Sequence, residues 1–78
     1  MKIVAEAVRR EDIIREVESM LDVGGYQVAK AIVRLSSQPP GTMRMIGDKG
    51  KKRSMGQGEA KAMVDAAVKR IELVESTS

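Results

Sequence analysis

Tyr26 is the sole aromatic side chain in a chain of 78 residues, and that decides what kind of core can form. Aromatic side chains normally supply the largest buried areas. Here the interior has to come from Ile, Val, Leu, Ala and Met, at a length near the lower limit for unaided folding. A domain of this size often draws only about 3–5 kcal/mol from its own core. Cys and His are absent, so no disulfide, thiolate metal site or imidazole ligand can reinforce it. Self-assembly is the remaining source of stability, and a homo-oligomer, at least a homodimer, is expected.

Apolar spacing predicts a single domain of three helices. Ile13, Ile14, Val17, Met20 and Leu21 fall on one face of a 3.6-residue repeat. Glu11 and Asp12 favour a helix start beside them. Upstream, Lys2–Val8 reads either as a short strand or as more helix. The stripe through Ile3, Ala7, Ile14 and Leu21 favours one long helix, about 3–22, ended by Gly24 and Gly25. Val28, Ala31, Ile32 and Leu35 mark a second helix, about 26–36, stopped by Pro39 and Pro40. Ala60, Met63, Val64, Ala67, Val68, Ile71 and Val74 mark a third, about 57–75. Between the second and third lies a glycine-rich basic arm, residues 39–56, too long for an idle connector. It reads equally as a β-hairpin or a disordered loop. The expected fold class is all-α, with this arm between the second and third helices.

Charge is distributed unevenly. Residues 23–58 carry seven basic side chains and a single acid, Asp48, whereas both flanks are net acidic. The net charge of +3 therefore hides a concentrated positive segment. Arg44, Lys49, Lys51, Lys52 and Arg53, set among glycines, are the candidate contacts to phosphate or another anion, and neutralising phosphates releases counterions. Ser54 joins them, since Ser54 and Gln57 have capping-box spacing at the start of the third helix, where free amides favour an anion.

More specific motifs fail. A P-loop needs four residues between its glycines and then Lys with Ser or Thr, but Gly47 and Gly50 are separated by two and Lys51 precedes Lys52. Gly56-Gln57-Gly58 lacks the third glycine of a dinucleotide-binding turn. A helix-turn-helix beginning at Val28–Ile32 would place Pro39-Pro40 inside its recognition helix. One tyrosine makes no platform for stacking single-stranded bases. The acidic residues read as solvated helix faces, and no histidine is present to activate a serine. No catalytic residue, cofactor or metal is expected.

The expected function is a small non-enzymatic nucleic-acid-binding protein, DNA rather than RNA, of regulatory or accessory type. One alternative is a phage-type adaptor or inhibitor that docks on an acidic protein surface, with Met43, Met45 and Ile46 as apolar anchor. Another is a protein that sequesters a phosphorylated small molecule. Residues 1–10 contain Glu6 and no continuous apolar run, and no stretch approaches a bilayer span, so a cytoplasmic location without membrane association is expected.

Overall fold

A computed structural model describes residues 8–21, 24–48 and 50–77. Three helices, α1 (Arg10–Ser19), α2 (Tyr26–Ser36) and α3 (Gln57–Thr77), enclose a hairpin of β1 (Met43–Asp48) and β2 (Lys51–Gly56) between the second and third. The chain is thus mixed α/β and mostly helical, which corrects the all-α expectation. Two physical reasons decide for the hairpin over a loose loop. The antiparallel ladder pairs the facing backbone groups of both strands, and Ile46 and Met55 bury their side chains against the helices.

α1 begins at Arg10, preceded by Arg9 in extended conformation, with Glu11 and Asp12 in its first turn. The strand-or-helix question at Lys2–Val8 falls mostly outside the described residues. Its C-terminus differs from the glycine stop expected from sequence. The helix ends at Ser19 with Met20 as cap, four residues before Gly24. Gly25 instead begins α2, its carbonyl accepting from the Ala29 amide at 3.0 Å.

α2 is the central element and packs against α1, α3 and β1. It buries Val28, Ala29, Ile32, Val33 and Leu35, so its apolar face is wider than a single stripe. Ile14 and Val17 of α1 and Ala60 and Ala67 of α3 complete the helical core, roofed by Ile46 and Met55. Small residues on α3 let the helices approach closely. Arg70 Nε donates to Glu16 at 2.9 Å, tying α3 to α1.

A tight turn converts α2 into the hairpin. The Thr42 amide donates to the Pro39 carbonyl at 3.1 Å, with Pro40 and Gly41 at the centre. Proline fixes the first central φ, and Gly41, at φ +92°, supplies the positive second one. The strands then pair from Met43 with Gly56 to Asp48 with Lys51. At the root of the hairpin, the Gln57 amide donates to the Thr42 carbonyl at 2.8 Å, and its side-chain Nε2 donates to the Ser36 carbonyl at 2.9 Å. Gln57 is buried and pins the start of α3 to the end of α2. Among the described residues no helix is long and apolar enough to cross a membrane.

Candidate nucleic-acid interface

Strand register sorts the hairpin's side chains into two faces, because residues directly opposite in an antiparallel pair share a side. The inner face pairs Arg44 with Met55 and Ile46 with Arg53. Met55 and Ile46 are buried against the helices, and the two arginines flank them. The outer face pairs Met43 with Gly56, Met45 with Ser54 and Gly47 with Lys52. Met43 and Met45 are exposed there, at 57% and 62%.

The structure therefore divides the sequence-predicted cluster. Arg44 sits where β1 meets α2. It lines a groove of about 270 Å³ with Ala31, Arg34, Leu35 and Gln38. A smaller adjoining hollow of about 150 Å³ extends it past Gln27 and Lys30. Lys51 and Lys52 are exposed near the hairpin tip, on opposite faces. Lys49 lies outside the described residues. Ser54 is exposed on the outer face, opposite Met45, within β2 rather than at a helix start. No capping box forms, because α3 begins at Gln57, whose side chain bonds to Ser36.

Arg53 is engaged elsewhere. Its guanidinium donates to the Glu59 carboxylate in the first turn of α3. That hydrogen bond holds Glu59 below the usual carboxylate range and raises Arg53 above its ordinary value. The pair is locally neutral, and the Glu59 carboxylate occupies the start of α3. The first amide of α3 is also already donated to Thr42. An anion seat at this helix end is accordingly disfavoured.

Sequence reasoning passed over two groove residues, Lys30 and Arg34, which stand one helical turn apart on α2. A signal was present, because α2 carries two cations and no carboxylate, whereas α1 and α3 mix both signs. Among the described residues, Lys30, Arg34 and Arg44 form no ion pair, and no carboxylate lines either hollow. A larger cavity of about 390 Å³ lies between α1 and α3, lined by Asp12, Arg15, Glu16, Ile71 and Val74. Its charges are largely matched, Arg15 with Glu11 and Glu16 with Arg70. The Tyr26 hydroxyl donates to Glu11 at 2.7 Å beneath the Arg15 guanidinium. This arrangement couples α1 to α2 and reads as structure.

Among the described residues no cluster of His, Cys, Asp and Glu is set to hold a metal ion. Comparison with protein-family models, with curated proteins and with solved structures gives no match for this chain.

Proposed function

We propose that the chain is a non-enzymatic nucleic-acid-binding protein of regulatory or accessory type, which takes duplex DNA at the face where α2 meets the hairpin. The observation that carries this reading is the groove between α2 and β1 that Arg34 and Arg44 line, continued along α2 by the hollow that Arg34 shares with Lys30, with no carboxylate in either lining and no ion pair to these three among the described residues. Cations gathered on one face are the electrostatic footprint of a polyanion partner, here with Glu11 on α1 within electrostatic reach of Lys30. A two-stranded ribbon is also an element that nucleic-acid grooves admit.

Residues of the hairpin take distinct parts. Arg44, with Lys30 and Arg34, contacts one phosphate backbone. Lys51 and Lys52 extend the positive surface to the tip, and the exposed Ser54 hydroxyl offers a hydrogen bond on the outer face. Lys49 belongs to the same basic stretch of sequence. Arg53 stays with Glu59 and contributes shape rather than free charge. Docking on an acidic protein through Met43, Met45 and Ile46 loses support, since Ile46 is buried at 8% exposure. Self-assembly into an oligomer belongs to this reading as a source of stability, and sedimentation velocity checks it.

An NMR titration with a short duplex tests the site. The largest amide shifts are expected at Lys30, Arg34, Arg44, Lys51 and Lys52. Shifts confined to the α1–α3 cavity, or none at low salt, would overturn the proposal.

A further inference from the structure

We propose that Gln57 is the positioning residue of the groove between α2 and β1, holding Arg34 and Arg44 at the separation at which both contact one phosphate backbone. This rests on the reading of that groove as a nucleic-acid site. Gln57 is the buried polar side chain among the described residues, at 8% exposure. A buried amide has to spend its hydrogen-bonding groups within the fold, and the places where Gln57 spends them join the two walls of the groove.

The end of α2 shows why a distant donor matters there. A helix leaves its last four carbonyls without an intrahelical partner. In α2 these belong to Val33, Arg34, Leu35 and Ser36. The Ser36 hydroxyl donates to Val33 at 2.6 Å, and the amides of Ser37 and Gln38 donate to Arg34 and Leu35 at 3.1 and 3.0 Å. These three are closed by near neighbours in sequence. The Ser36 carbonyl instead takes its donor from another element, Gln57 Nε2, 21 residues further along the chain.

The same residue holds the hairpin. The Gln57 amide donates to the Thr42 carbonyl at 2.8 Å, while the Thr42 amide is spent on Pro39. Gln57 therefore grips the last residue of α2 and the residue before β1 together, closing the turn between them into a ring. Arg34 stands two residues before the first grip and Arg44 two residues after the second. Both line one cavity of about 270 Å³, over Ala31 and Leu35. A two-stranded ribbon is marginal by itself, so its setting against α2 depends on what is fixed at its root. Two guanidiniums that meet one backbone from two elements depend on that setting in turn, because charged hydrogen bonds hold only near about 2.7–2.9 Å. Without the bond to Ser36, the root of the ribbon is free to shift and Arg44 loses its place opposite Arg34.

The test is a double-mutant cycle on the binding of a short labelled duplex, read as salt slopes by fluorescence anisotropy. It compares the full chain with its Gln57→Met, Arg44→Ala and Gln57→Met/Arg44→Ala variants. The thioether keeps the length of the glutamine side chain and removes its donor. Ile14→Val, a mild change at a buried site on α1, controls for lost stability alone and should keep the wild-type slope. NMR spectra establish that each variant is folded. Should Gln57→Met not fold, Gln57→Asn, an amide one carbon shorter, takes its place in the cycle. Arg44→Ala should flatten the slope of log K against log salt by about 0.9, the share of one phosphate. Gln57→Met should flatten it by a comparable amount and change nothing further once Arg44 is gone. Effects that add in the double variant, or a Gln57→Met slope equal to that of the wild type, overturn the positioning role and leave the nucleic-acid reading standing. A wild type that does not bind at low salt, or a wild-type slope untouched by Arg44→Ala, overturns both.

Discussion

Replacing Gly47 by Ala asks what keeps the hairpin in register. Gly47 has φ +156°, and a Cβ added there would lie 2.1 Å from the Lys51 carbonyl oxygen and 2.6 Å from Lys52 Cα. Comfortable carbon contacts begin near ~3.5 Å, so the overlap exceeds an ångström. The obstructing atoms are backbone of the paired strand, and no rotamer change relieves them. Holding a side chain in such backbone costs about 1–3 kcal/mol, and a two-stranded hairpin is marginal by itself. The least costly relief opens the tip from the Gly47–Lys52 pair outward. The root stays anchored by Ile46 and Met55, and the helical core is untouched. Hydrogen exchange is the assay, because it reads local opening. Hydrogen-bonded amides near the tip should exchange roughly 5- to 150-fold faster, the range that ~1–3 kcal/mol implies. Amides of α2 and α3 should hardly change. Gly58→Ala is the control, with nothing within 4 Å of the added carbon, and should be neutral or stabilising by up to ~1 kcal/mol as a helix substitution. A Gly47→Ala protein that kept the Gly47–Lys52 pairing and its protection would refute the reasoning.

Leu35→Ala deletes a side chain that is 2% exposed and should cost about 2–5 kcal/mol, comparable with the ~3–5 kcal/mol such a core supplies. Urea melts should show a largely unfolded variant, and a loss below ~1 kcal/mol would contradict the packing. Acid stability follows from Glu11 and Glu59. Both are held below their ordinary 4.5, Glu11 chiefly by the hydrogen bond from Tyr26 and Glu59 chiefly by that from Arg53. Their contribution is complete above pH 4.5 and is lost as pH falls below it through the folded-state values. Tyr26 is raised above 10.0 by its bond to Glu11, so its share holds below pH 10.0 and goes as pH rises further. Glu11→Gln should flatten the acid limb of Tm against pH, and identical limbs would count against the contact.

The helices were legible where apolar spacing had one partner to satisfy. Val28, Ile32 and Leu35 are buried as their spacing requires. Ala29 and Val33 are buried too, because α2 has neighbours on several sides, which periodicity for one face does not register. The third stripe overran its cover. Ala60 and Ala67 are fully buried, whereas Val74 is 65% exposed near the end of a helix twice as long as α1. At the site, composition located the positive segment, but only strand pairing could separate Arg44 from Lys52 and join Arg53 to Glu59. Lys30 and Arg34 stand in the sequence only as two of the seven central cations, and it is β1 folding beside α2 that brings Arg44 to the groove Arg34 lines, next to the hollow of Lys30.

The most direct test of the central claim is the salt dependence of duplex binding, measured by fluorescence anisotropy for the wild type, Lys30→Ala/Arg34→Ala/Arg44→Ala and Arg53→Ala. Each phosphate contact contributes about −0.9 to the slope of log K against log salt, so losing three should flatten it by about 2.7. Between about 50 and 200 mM salt, the triple variant should lose roughly 40-fold less affinity than the wild type. Arg53→Ala should keep the wild-type slope, since Glu59 already holds that charge. A steep wild-type slope lowered by the groove variant alone is the expected result. An unchanged slope in the triple variant, or a wild type that does not bind duplex at low salt, would contradict the account.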